Sequence, residues 1–396
     1  MKPKRPFGAA RRLLAAPLVV LMAALGLAAG AVPAKAGLPP FHLNGCIIWQ
    51  TITLENGWIS DNSAYDTGDP SFCENDGMVY LSGSLAANSA IYGDESFGTL
   101  PSGYRPSQNI YLNVYTLGGV YGVLQIDANG TMFAYDGSAT GYTSLAGVSF
   151  PAASFSMEPL SLENGWLPAF NGTGDPSYGI DSNDIVHMTG SIYDANGTPP
   201  TPPSYLWNSV ILPSGTLSAD DCADFNVYGF ESDSTLGPPS FLDEVENPGE
   251  DDPASLSGGN PGFTSLAGIS YPAVPAADWQ ALYLMNGAEP VTGGIVPDFS
   301  CSMAPSVYSV GDVVYLTGLV DLPAGFDGEI ALLPESDGLP AHNLYMIAST
   351  GQNSTTSGDN YMVVEITPAG GVWIWNAPGN SNDDVELSGL SFVIGS

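Results

Sequence analysis

The chain has 396 residues, 44% of them hydrophobic and only 12% charged, with a formal net charge of -34 at pH 7. Six of its seven Lys and Arg lie within the first 36 residues, so a single permanent side-chain cation, Arg105, faces 41 Asp and Glu in the remainder. Nucleic acid and anionic membrane surfaces are thereby excluded as main partners, because both are held through Lys and Arg that neutralise phosphates.

At the start, Lys2, Lys4, Arg5, Arg11 and Arg12 precede an apolar run from Leu13, and Ala34-Lys35-Ala36 offers a cleavage site before Gly37. This is the pattern of a secretory signal, and residues 1–36 are set apart from the fold. No later apolar run reaches the length of a membrane span, so a secreted protein without one is expected. Four cysteines follow, Cys46, Cys73, Cys222 and Cys301. An even count in an exported chain reads as two disulfides, and proximity in sequence pairs Cys46 with Cys73 and Cys222 with Cys301. The C-x-x-C spacing of a metal site is absent.

The rest of the chain repeats itself. TSLAGVSFPA at 143–152 returns as TSLAGISYPA at 264–273, 121 residues later, and LSGLSFV closes the chain at 387–393. Other stretches recur in the same order. WQTITLENGW, MEPLSLENGW and WQALYLMNGA, from Trp49, Met157 and Trp279, alternate apolar residues into an Asn-Gly turn. MVYLSGS, IVHMTGS and VVYLTGL then read as strands ending on Gly. LPSGYRP, LPSGTLS and LPESDGLP, from Leu100, Leu212 and Leu333, are turns, followed by further strands. A hairpin at 123–135 is matched at 363–375. In the middle copy that place is taken by residues 232–259, rich in Pro, Gly and acid, which read as an excursion. Helical periodicity is absent. The expectation is an all-β protein of three tandem sandwich-like or barrel-like modules at 37–153, 154–275 and 276–396. Copy number and short linkers point to a monomer whose copies close around a pseudo-threefold axis. The recurring letters are expected to hold each module together, leaving recognition to what varies.

In its first copy the order Leu54-Glu55-Asn56-Gly57-Trp58, then a V-x-L-x-G strand, then Leu100-Pro101-Ser102-Gly103-Tyr104-Arg105-Pro106 resembles the all-β C-terminal modules of phage tail-fibre and receptor-binding proteins and related secreted bacterial proteins. The second copy lacks Tyr-Arg-Pro, and the third lacks the Trp as well. The resemblance implies host-surface or glycan recognition without catalysis, and carries no binding residues over.

Residue chemistry agrees with a binding role. His187 stands where the other copies have Tyr80 and Tyr315, so it serves shape, and His42 and His342 have no nucleophile motif beside them. Glu55 and Glu163 are the carboxylates a glycoside hydrolase would draw on, but the third copy has Met285 there. Oxygen-rich turns at Asp66, Asp69, Asp181 and Asp184 suit a hard cation, so Ca²⁺ is an admissible ligand although no cofactor is required. Arg105 is either a clamp for an acidic ligand or the fixture of its own turn. Aromatic side chains in or near loops suit sugar rings: Tyr92, Tyr104, Tyr121 and Tyr142 in the first copy, Tyr205 and Trp207 in the second, Trp373 and Trp375 in the third. The expected function is recognition of an extracellular carbohydrate or cell-surface polymer. A structural matrix protein and an extracellular hydrolase are the alternatives.

Overall fold

The computed structural model describes Cys46 and residues 48–87, 95–135, 138–169, 172–195, 208–212, 224–230, 240–245, 255–258, 262–291, 303–350, 361–375 and 383–396. Asn44–Ser396 form one compact unit. Among the described residues the structure is built of antiparallel strands, with α-helix confined to the single turn Asn62–Tyr65. No described helix is long and apolar enough to cross a membrane.

Three four-stranded sheets share one strand order. The first runs Gln50–Thr51, Ser71–Asn75, Met78–Ser82, Ser149–Pro151; the second runs Glu158–Pro159, Ser177–Ile180, Ile185–Thr189, Ser270–Pro272; the third runs Gln280–Ala281, Ser306–Val310, Val313–Thr317, Ser391–Val393. The recurring stretch, shortened to LSGLSFV in the third copy, supplies the last strand of each. The three recurring Asn-Gly pairs at 56–57, 164–165 and 286–287 turn the chain with positive φ at both residues, Asn56 and Gly57 being at 51° and 79°. That is the type I′ geometry whose twist suits a hairpin. The residue after each turn faces the core: Trp58 and Trp166 are buried, and Ala288 replaces them in the third core, against which Phe326 packs.

A second layer covers each of these sheets. In the third copy it is a five-stranded sheet ordered Tyr283–Leu284, Gly328–Leu332, Gly371–Trp375, Tyr361–Ile366, Leu344–Ser349. In the middle copy the same order appears, because Ser240–Val245 and Ser255–Gly258 pair in the place of the missing hairpin. The excursion expected over 232–259 is corrected here: part of it is a strand pair. Its SFLDEV segment carries the Phe, Leu and Val of a strand, and the flanking Pro, Gly and acid obscured that signal.

The copies meet along the strands Ile110–Thr116, Asp224–Val227 and Leu344–Ser349, which pack pairwise against one another. Around them the recurring Gly residues close a cycle. A Cβ on Gly147 would lie 2.7 Å from Met346 Sδ, one on Gly268 2.7 Å from Leu112 Cδ2, and one on Gly389 3.2 Å from Phe225 Cδ1. Each Gly therefore seats on the equivalent residue of another copy, and all six line a central cavity of about 70 Å³. The positive φ of these three Gly, 74°, 88° and 78°, adds a backbone reason for the residue type. The expectation that recurring letters act within one module needs amending, since these join copy to copy.

A second shared cluster gathers Met78, Tyr80, Ile185, Val313 and Tyr315 with Cys46 and Cys73. The two cysteines form a disulfide with Cα atoms 5.5 Å apart. Cys222 and Cys301 lie outside the described residues.

Candidate functional site

Alternation along the strand Gly371–Trp375 sends Val372 and Ile374 into the core and Gly371, Trp373 and Trp375 to the outer face. There Trp373 stands directly between two carboxylates, opposite Glu329 on one neighbouring strand and Glu365 on the other. Tyr345 continues the row opposite Glu365. Trp375 lies parallel to Trp373, with ring centroids 5.7 Å apart and 11° between planes. The adjoining row is Tyr283, Leu332 and Gly371. Tyr283 is 79% exposed and Leu332 46%, both unusual for large apolar groups on a sheet. A Cβ on Gly371 would come within 2.6 Å of Glu329 Oε1 and 2.7 Å of Trp373 Nε1, so the bare Cα is what lets indole and carboxylate lean together over the sheet.

Glu365 is held on both oxygens. The Tyr345 hydroxyl donates to Oε1 at 2.9 Å and the Trp375 indole N–H to Oε2 at 2.6 Å. Burial first, and then the charge of Glu365, raises the Tyr345 hydroxyl pKa well above the usual phenol value, so Tyr345 remains a donor. The carboxylate is thus a fixed negative charge behind Trp373.

The first copy carries the same backbone without these groups. The side-chain amide of Asn56 donates to the carbonyl of Ser96 as that of Asn286 does to Glu329. Leu100 N–H donates to Gly130 as Leu333 N–H does to Gly370. Opposite Phe133 stands Gln125, as Glu365 stands opposite Trp373. On this register Thr53, Ser96, Thr99, Gln125, Thr131 and Phe133 are replaced by Tyr283, Glu329, Leu332, Glu365, Gly371 and Trp373. Thr53 gives way to an aromatic ring and Ser96 and Gln125 to carboxylates, while the ring at Phe133 becomes the indole of Trp373.

Of the residues singled out from sequence, Trp373 and Trp375 come together on this face. Tyr121 and Tyr142 join an adjacent cluster between the first and third copies, Tyr121 edge-on to Tyr361 at 5.3 Å and Tyr142 fully buried 4.4 Å from Tyr65. Tyr142 therefore has no face to offer a ligand. Tyr104 lies elsewhere, accepting from Gln50 Nε2 at 2.6 Å and packing edge-on to Phe72. Arg105 donates through Nε to the carbonyl of Leu100 at 2.8 Å. Tyr92, Tyr205, Trp207 and His42 lie outside the described residues.

The oxygen-rich turns are separate from one another. Asp66 is exposed, 4.0 Å from His342 Nδ1, and Asp69 accepts from Ser60 Oγ at 2.6 Å. Asp181 accepts from the backbone of Asn183 and Ile185 and pairs with His187 Nε2 at 3.3 Å, while Asp184 is an exposed turn residue. Among the described residues no three His, Cys, Asp or Glu converge as a metal site would require. Glu55 and Glu163 are exposed and lie in the Asn-Gly turns, accepting through their carbonyls from Trp58 and Trp166. His187 is sealed from solvent with Ser270 Oγ at 2.8 Å from Nδ1, a packed polar group rather than an accessible base.

Tyr283, Glu329, Leu332, Glu365 and Gly371 were not singled out from sequence. A signal existed for Tyr283, which stands where the other two copies have Thr53 and Ser161, a large ring in place of a small hydroxyl.

The molecule is thus an all-β chain of similar sheets with one distinctive aromatic and acidic face on the third copy. No protein-family model, no curated protein and no solved structure matches it.

Proposed function

We propose that this is an exported, non-catalytic binding protein that recognises a carbohydrate on the outer face formed by Tyr283, Leu332, Gly371 and Trp373. The supporting observation is an outer face on which Tyr283 and Leu332 stand exposed beside half-buried Trp373, where the matching sheet of the first copy has Thr53, Thr99 and Phe133. A packed fold keeps its backbone while a site is grafted onto one copy of it. Flat aromatic faces beside carboxylate acceptors suit a pyranose ring and its hydroxyls. The N-terminal segment and the Cys46–Cys73 disulfide favour an oxidising, extracellular setting. Three copies around a common centre within one chain would do the work of a trimeric fibre tip, in keeping with the tail-fibre resemblance.

Tyr283→Ala tests the reading, because an exposed ring can be removed without opening a cavity. Titration of short neutral oligosaccharides, followed by tryptophan fluorescence, should saturate, and the variant should bind about tenfold more weakly at unchanged thermal stability. Saturable binding that ignores Tyr283→Ala would place the site elsewhere. Absence of any saturable sugar would end the carbohydrate reading.

A further inference from the structure

We infer that the ligand of this face bears amino groups, and that acidic glycans are excluded from it; the inference rests on the carbohydrate reading above and names the class of sugar. Its basis is the row Glu329, Trp373, Glu365, Tyr345, in which one half-buried indole on the outer face has a carboxylate on each neighbouring strand. Adjacent strands lie about 4.8 Å apart, so both carboxylates lie beside the ring: half-buried Glu329 can meet a ligand directly, while Glu365, 7% exposed, acts through its charge. The indole face itself attracts cations through its quadrupole. Glu365 is pinned by Tyr345 and Trp375, so its charge cannot swing away. Glu329 is half-buried, its Oε1 over the bare Gly371 floor beside Trp373 Nε1.

No Lys or Arg on this copy offsets the two charges. The only Lys or Arg after residue 36 is Arg105, which belongs to the first copy and is tied to the carbonyl of Leu100. A uronic or sulfated sugar would bring a third negative charge against Glu329 and the pinned Glu365. A protonated amino sugar would gain an ion pair and a cation–π contact in the same position. The matching place in the first copy has Ser96, Gln125 and Phe133, with its one nearby carboxylate, Asp127, bonded to Gln125 Nε2 at 2.7 Å; carboxylates directly opposite the ring on both neighbouring strands are peculiar to the third copy.

The experiment titrates the intact protein with three oligomers of equal length by calorimetry, at a pH where amines are protonated: a glucosamine oligomer, its N-acetylated form and an oligogalacturonate. The glucosamine oligomer should bind about tenfold more tightly than the N-acetylated form at low salt. The gap should close in about 0.5 M salt, and the oligogalacturonate should give no saturable heat. Glu329→Gln should bring the ratio to within about twofold, whereas Glu55→Gln, on an exposed turn of the first copy, should leave the wild-type ratio. Three results would overturn the inference while sparing the carbohydrate reading: equal binding of aminated and N-acetylated forms, tight binding of the acidic oligomer, or a ratio that falls as far in Glu55→Gln as in Glu329→Gln. The last would mark general attraction to an acidic protein. If none of the three oligomers binds, the carbohydrate reading falls and takes this inference with it.

Discussion

Arg105 shows how a single residue's role is settled by its neighbours rather than its charge. In an acidic chain a lone guanidinium invites a salt-bridge explanation, yet the ion pairs among the described residues involve only His. Its Nε caps the carbonyl of Leu100, and its stem lies on Gly130, where a Cβ would come within 2.6 Å of Nε. In the third copy Leu339 fills the same place, 3.0 Å from where a Cβ of Gly370 would be. An apolar side chain doing this work shows that the long stem matters at least as much as the charge. Arg105→Ala should therefore lower stability by about 1–2 kcal/mol, read from the urea midpoint, with ligand affinity unchanged, while Arg105→Leu should retain most of the stability. Lost affinity at full stability in Arg105→Ala would make it a ligand clamp after all. Sequence posed both readings but could not choose, because the choice depends on Gly130, which is distant along the chain. Tyr142 was illegible for the same reason: it sits in a run of turn-forming residues, and only the packing of Tyr65 and Tyr115 against it reveals a core ring.

At the scale of the hairpin, three equivalent strands place Tyr80, His187 and Tyr315 opposite Ser149, Ser270 and Ser391. The repeat made this position legible as one of shape. It did not reveal Asp181, which has no acidic counterpart at the same place in the other two hairpins and gives His187 a buried partner. Burial alone would raise the Asp181 pKa. The hydrogen bond and charge of His187, with the backbone N–H groups of Ile185 and Asn183, outweigh burial and hold it below its usual 3.8. A carboxyl depressed in the folded state contributes stability that is present above its unfolded pKa and is lost as pH falls through the lower folded value. Wild type should thus hold its Tm down to about pH 4 on this account and lose it below. His187→Tyr, which installs the side chain of the other copies, leaves Asp181 with its burial but without its counter-charge. The carboxyl should then take up its proton at higher pH, and the acid limb of Tm against pH should move upward. Neighbouring Tyr80 and Tyr315 are raised by burial and do not titrate in this range. Superimposable acid limbs would show that His187 and Asp181 are energetically indifferent to each other. The paired strands Ser240–Val245 and Ser255–Gly258 were the hairpin that sequence missed, since composition dominated the reading where alternation was short.

Across the whole molecule the sequence repeat did not show how its copies touch, because the contacts join positions that look nothing alike. Gly147 meets Met346, Gly268 meets Leu112 and Gly389 meets Phe225. Beyond the centre, Asn343 donates its N–H to Asp66 and its side-chain amide to Tyr65, and Asn109 makes the corresponding backbone bond to Gly172. Each copy thus leans on the next in the same sense, and two cores are partly sealed by a neighbour: Ala267 of the second copy belongs to the core of the first, and Ala146 of the first packs against that of the third. A stretch limited to residues 37–153 would lose the covers of Leu112, Met78 and Tyr115, which are at most 8% exposed in the intact chain. Exposing one such side chain costs about 1.5–3 kcal/mol, and several together rival the roughly 5–15 kcal/mol that holds a typical domain folded. The isolated stretch should therefore show no sharp, cooperative unfolding as a monomer, while the intact chain should scatter as a compact particle with a radius of gyration of about 20 Å. A monomeric fragment by sedimentation, melting sharply near the temperature of the intact protein, would mean that the copies are self-sufficient beads and that their cyclic contacts add little. An extended scattering profile for the intact chain would lead to the same conclusion from the other side.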